Sequence, residues 1–161
     1  MSARKTLFML IGPKGSGKTH MGTLINRQTD IAFLRVESIW LGLQPGEDGW
    51  EKVEAAIEAM FQTHDKVIVE SLGIGEGFVK FHASLLKKYS VKRIRVYAGL
   101  ETCFARVKSR NSAEHIPVSD HRVAELNALA SGVTFDWDLE INNEDLASDA
   151  EIIRAIESIN G

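Results

Sequence analysis

The stretch TLFMLIGPKGSGKT, residues Thr6 to Thr19, decides the fold. Its first half, Thr6 to Ile11, is a short apolar run that reads as a buried strand. Its second half sets Gly12, Gly15 and Gly17 ahead of Lys18 and Thr19, at the spacing G-x-x-x-x-G-K-[ST]. Glycines let a backbone turn so that successive N–H groups point inward at an anion. From Gly17 to about Gln28, Met21, Leu24 and Ile25 fall on one side of a helix. The positive N-terminal end of that helix adds to the same anion site.

Strand, glycine-rich turn and helix in this order are the context that the Walker A motif, or P-loop, requires. The candidate nucleotide-binding residues are therefore Gly12, Pro13, Lys14, Gly15, Ser16, Gly17, Lys18 and Thr19. Lys18 would place an ammonium on the β and γ phosphates, and Thr19 would offer its hydroxyl to Mg²⁺. The cofactors expected are ATP and Mg²⁺. No guanine-reading N-K-x-D follows. The motif alone implies nucleotide binding, not a particular reaction.

Working outward, short apolar runs alternate with longer amphipathic ones. Ile31 to Val36 is a second strand, interrupted by Arg35, and Gly42 to Gly49 is a turn-rich loop. Trp50 to Thr63 is an amphipathic helix with Trp50, Val53, Ile57, Met60 and Phe61 on one face. Lys66 to Val69 is a third strand, followed by a turn at Gly73, Gly75 and Gly77 and a helix from about Phe78 to Tyr89. Val91 to Ala98 is a fourth strand, and a helix runs from about Leu100 to Arg110. Asn111 to Val118 is a polar loop holding Pro117, and Ser119 opens another helix. Asp138 to Ile141 is a fifth strand. Ser148 and Glu151 form a capping box for a last helix whose core face is Ile152, Ile153, Ile156 and Ile159. Such alternation predicts an α/β domain with right-handed crossovers and a parallel sheet covered on both faces.

The 161 residues make one domain by length, 1–161, and 44% hydrophobic with 25% charged residues is globular composition. The net charge of -3, from 19 basic and 22 acidic residues, argues against nucleic acid as a partner. The single Cys103 excludes an internal disulfide and a Cys-rich zinc site. No stretch approaches the roughly 20 apolar residues of a membrane span. The expectation is a cytoplasmic protein with no membrane partner.

The chain resembles the small P-loop kinases, which include nucleoside monophosphate, shikimate and gluconate kinases and polynucleotide-kinase-like enzymes. The resemblance rests on GPKGSGKT, on the acid of VES (Glu37), on RIRVYAGLETCFARVKSR and on DLEINNEDLASDAEIIRAI. It implies the P-loop NTPase fold: five parallel strands in the order 2-3-1-4-5, helices on both faces, and a lid at about 111–118.

The resemblance also implies roles. Glu37 would position or deprotonate the acceptor hydroxyl, although Asp is usual there, or else open a helix beside Ser38. Glu70 ends the third strand and would hold Mg²⁺ through water, or else cap the following turn. Arg106 and Arg110, one helical turn apart, would clamp phosphates and neutralise the transferring charge, or form a solvated face. Arg122 is a further candidate, while His115 and His121 read as exposed polar residues. Gly73, Gly75 and Gly77 would bind an anionic substrate or simply turn the chain. Trp40 and Phe78 border these loops as an acceptor wall or as core. Asn142, Asn143 and Asp145 follow the fifth strand, where the adenine edge would pass, and Asn143 is the cofactor-binding candidate.

The function expected is ATP-dependent transfer of the γ-phosphoryl group to a small-molecule hydroxyl or a nucleotide. The alternatives are a nucleotide-binding switch with a protein partner, or a small ATPase without an acceptor. The sequence leaves the acceptor and the oligomeric state open.

Overall fold

A computed structural model describes residues 4–109 and 118–160. Arg110, His115, Pro117 and the expected lid up to residue 117 lie outside the described residues.

The strands are β1 (Thr6–Ile11), β2 (Ala32–Leu34), β3 (Lys66–Ser71), β4 (Ser90–Tyr97) and β5 (Leu139–Asn142). They form one sheet in the order β2-β3-β1-β4-β5, and every pairing is parallel. The helices are α1 (Lys18–Gln28), α2 (Val36–Leu41), α3 (Gly49–Met60), α4 (Glu76–Lys88), α5 (Leu100–Ser109), α6 (Asp120–Ser131) and α7 (Asp149–Glu157).

Successive side chains of a strand point to opposite faces, and β1 divides accordingly. Leu7, Met9 and Ile11 join Val53, Ile57, Phe78, Phe81 and Leu85 of α3 and α4. Phe8 and Leu10 join Met21, Leu24 and Ile25 of α1 and Ile152 and Ile156 of α7. Both faces of the central strand are therefore covered, and its run reads as continuously apolar. Each large side chain buried in this way contributes about 1.5–3 kcal/mol.

The sheet order matches the expectation, and the ends of the elements show where local signals fall short. β2 has only three residues, because it sits at the sheet edge and pairs with β3 alone. Val36 leaves the strand to open α2, a six-residue helix that the sequence reading offered only as an alternative for Glu37. Glu37 lies in its first turn, where a carboxylate suits the helix dipole. Asp48 caps α3 by accepting from the Trp50 N–H at 2.9 Å, so this helix starts at Gly49 and ends at Met60, short of Thr63. The capping box of Ser148 and Glu151 is present at α7. Among the described residues no helix is long and apolar enough to cross a membrane.

Candidate active site at the carboxyl ends of the strands

The loop between β1 and α1 follows the carboxyl end of the central strand. Gly15 and Gly17 have φ of 86° and 109°, a region that residues with a Cβ rarely occupy. Gly12 is needed for space: a Cβ there would lie 2.0 Å from the Val96 carbonyl oxygen of β4.

Two buried asparagines hold this loop from behind. The Asn127 Oδ1 of α6 accepts from the Lys14 N–H at 2.8 Å, and its Nδ2 donates to the Lys14 carbonyl at 2.9 Å. Asn143 donates from Nδ2 to the Ser16 carbonyl at 2.8 Å and accepts from the Ala147 N–H at 2.8 Å. Asn127 escaped the sequence reading. Its signal was a polar residue within the buried stripe Val123, Asn127, Ala130 of an amphipathic helix. Asn143 does not line the cavity in front of the loop. Its side chain braces the loop.

At the start of α1, Lys18 Nζ donates to the carbonyls of Gly12 and Pro13 at 2.6 and 2.8 Å. Thr19 Oγ1 donates to Glu70 Oε2 at 2.8 Å. Glu70 is only 5% exposed, and its Oε1 has no hydrogen-bond partner among the described residues. Burial pushes its carboxyl above the ordinary glutamate range. The Lys18 charge and the Thr19 hydrogen bond act against that shift, and the nearby Glu37 adds to it.

Mg²⁺ takes oxygen ligands, with few protein groups and a shell completed by water and phosphate. A hydroxyl beside a buried carboxylate with one unused oxygen fits that requirement. Thr19 and Glu70 are the residues that could hold the ion.

These groups open into a cavity of about 1470 Å³. Pockets for one small ligand run about 300–1,000 Å³, so this cavity has room for two molecules side by side. Lys14, Gly15, Gly17, Lys18 and Thr19 line one end, while Gly12, Pro13 and Ser16 lie outside it. Arg35, Glu37, Trp40, Trp50, Val53 and Phe81 line the cavity as well.

Arg106 and Arg122 also border the cavity. The Arg106 guanidinium donates to the Gly15 carbonyl at 3.3 Å and to the Asn143 and Glu144 carbonyls at 2.8 and 3.0 Å. It thus ties the P-loop to the loop after β5. Arg122 is paired with Glu125, and His121 is exposed. Gly73 and Gly75 turn the chain with positive φ, whereas Gly77 does not. Phe78 is fully buried core, and Trp40 is half-buried at the cavity wall.

No family model and no curated protein matches the chain. Solved structures do. The APS kinase CysC of Mycobacterium tuberculosis, in complex with AMPPNP and APS, is 17% identical. It aligns over 99% of this chain and 100% of its own length at TM-score 0.64. A shikimate kinase from Acinetobacter baumannii, in complex with shikimate, is 18% identical over 98% of this chain and 96% of its own, at TM-score 0.60. A component of the Pnkp1/Rnl/Hen1 RNA repair complex is 14% identical at TM-score 0.67. That match covers 81% of this chain, which spans 45% of the length of the component. At these identities the likeness is one of architecture, and the chain has the fold of the P-loop kinases.

Proposed function

We propose that the protein is an ATP-dependent phosphotransferase acting on an organic hydroxyl. The observation that carries this reading is the Thr19–Glu70 pair beside Lys18, at one end of a cavity that also presents Glu37 and leaves room for a second substrate.

The P-loop backbone and Lys18 bind the β and γ phosphates and balance their charge. Thr19 and Glu70 would hold Mg²⁺, which would neutralise phosphate charge. Glu37 orients the acceptor hydroxyl and takes its proton. The acceptor oxygen bonds to the γ-phosphorus as the bond from that phosphorus to the β–γ bridging oxygen breaks, and ADP leaves with the electron pair. Phosphoryl transfer needs mostly positioning and charge stabilisation, so a short set of residues suffices. Arg106 acts as a positioning residue through the carbonyls that it joins. Arg110 is proposed to meet the transferring phosphate from the edge of the lid.

The test is Mg²⁺-dependent transfer to a panel of hydroxyl acceptors by wild type, Lys18→Ala and Glu37→Gln. Lys18→Ala is expected to lose at least about a hundredfold in kcat with the fold retained. Glu37→Gln is expected to lose about a hundredfold or more. Full activity in Lys18→Ala would overturn the reading, and a loss of no more than about twofold in Glu37→Gln would remove Glu37 as the base.

A further inference from the structure

The cavity that the P-loop lines also has an aromatic wall. Trp40 of α2, Trp50 of α3 and Phe81 of α4 line it together. Trp40 and Trp50 meet edge to face, centroids 5.3 Å apart and planes at 82°. Trp50 and Phe81 are 5.1 Å apart and tilted by 43°. Such offset arrangements favour aromatic rings and fix their orientation.

Two glycines make room for the indoles. A Cβ on Gly49 would lie 2.0 Å from Cζ3 of Trp40, and one on Gly77 would lie 2.2 Å from Nε1 of Trp50. Neither glycine has a positive φ, so backbone freedom does not explain them. They let each indole lie directly against a helix start. The two rings are thereby preset, and a preset wall binds without an ordering cost.

Core packing alone would cover these rings, as it covers Phe78 at 0% exposure. Trp40 and Trp50 are instead half-buried and keep ring surface at the cavity. Glu37 shares α2 with Trp40, Arg35 directly precedes that helix, and both act on the Glu70 carboxyl, so this set holds two carboxylates and one guanidinium. Of the other basic residues in the lining, Lys14 and Lys18 belong to the P-loop, Arg106 donates to backbone carbonyls and Arg122 is paired with Glu125. A phosphorylated or carboxylated acceptor would thus meet carboxylates beside this wall. Glu37 and Trp40 are three residues apart on α2, which puts carboxylate and ring on neighbouring parts of one helix surface.

We infer that the acceptor is an uncharged alcohol with an apolar ring, which packs against Trp40 and Trp50 while its hydroxyl reaches Glu37. This deepens the phosphotransferase reading and rests on it for the transfer step, though not for ring binding.

The test reads binding and turnover separately. 2-Phenylethanol is titrated into the full chain with Mg²⁺ and a non-hydrolysable ATP analogue while tryptophan emission is followed. Transfer from Mg·ATP is then compared for 2-phenylethanol, gluconate and AMP. The expected result is a saturable emission change and a kcat/KM at least about tenfold above that for the two anions. Trp40→Leu should raise KM for 2-phenylethanol about tenfold, more than it lowers kcat, and the milder Trp40→Phe should raise it about threefold. Gly77→Ala, which displaces Trp50, should move KM in the same direction.

Transfer to AMP or gluconate, with no emission change and no transfer for 2-phenylethanol, would overturn the ring subsite and leave the phosphotransferase standing. A saturable emission change lost in Trp40→Leu, with no transfer to any compound, would support the ring subsite and overturn the phosphotransferase.

Discussion

One part of the cavity wall comes from a single short stretch of the P-loop, Lys14 to Thr19, and another from Trp40, Trp50 and Phe81, which arrive from three separate helices. On the proposed reading the P-loop part is the phosphate end, which would recognise its ligand with backbone N–H groups, one ammonium and one hydroxyl, all fixed by a turn between β1 and α1. The aromatic part is the acceptor end, which would recognise by shape and apolar surface, with each ring set by a neighbour distant in sequence. Spacing specifies the first and packing specifies the second. A change at the phosphate end should therefore abolish the reaction, whereas a change at the aromatic end should alter which acceptor is used.

Lys18→Ala should have the largest effect, removing at least about a hundredfold of turnover for every acceptor alike. Selective loss for one acceptor would break the division between the two ends.

Glu70→Gln should separate activity from stability. Turnover should fall about tenfold or more, because the oxygen charge offered to Mg²⁺ is gone. Stability at pH 7 should rise. Burial raises the Glu70 carboxyl in the folded chain, so folding favours the protonated form. The stability that this group contributes is full below the ordinary glutamate value of 4.5 and is lost as pH rises through the folded value. At pH 7 the ionised carboxylate is therefore a burden that Gln lifts, and Tm should rise by about 2–4 °C for each kcal/mol recovered. The gain should shrink as pH falls toward 4.5, which differential scanning calorimetry at several pH values would measure.

Asn127→Ala should come next. It strips both partners from the Lys14 peptide group, at a cost of about 1–3 kcal/mol. ATP affinity should fall more than the drop in Tm alone explains, because the P-loop loses its rear support. Ser148→Ala gives the smallest effect. It removes the cap of α7, about 1 kcal/mol, and should leave kcat and KM unchanged because neither Ser148 nor any residue of α7 lines the cavity.

The same contrast governs how much could be read from the sequence. β1, α1 and the P-loop were legible because strand, turn and helix follow one another without a gap. β3, β4, β5 and α7 were legible from apolar runs and a capping box. The strand order came from a family resemblance, since periodicity carries no information about which strands are neighbours. α2 was legible only as an alternative reading of Glu37, because six residues are too few to establish a helical period. Gly77 was grouped with the anion-binding glycines, yet its neighbour is the Trp50 ring, on another helix. Trp40 and Phe78 looked alike in sequence, and packing made one a cavity wall and the other core.

The account stands or falls on where the γ-phosphoryl group goes. ATP labelled at the γ-phosphate should be incubated with Mg²⁺, the protein and a panel of hydroxyl compounds, and the label followed into products. The expected result is label on an organic acceptor, dependent on Mg²⁺ and absent with Lys18→Ala. Label released only as inorganic phosphate, at the same slow rate with every compound, would contradict a phosphotransferase and favour a nucleotide-binding switch.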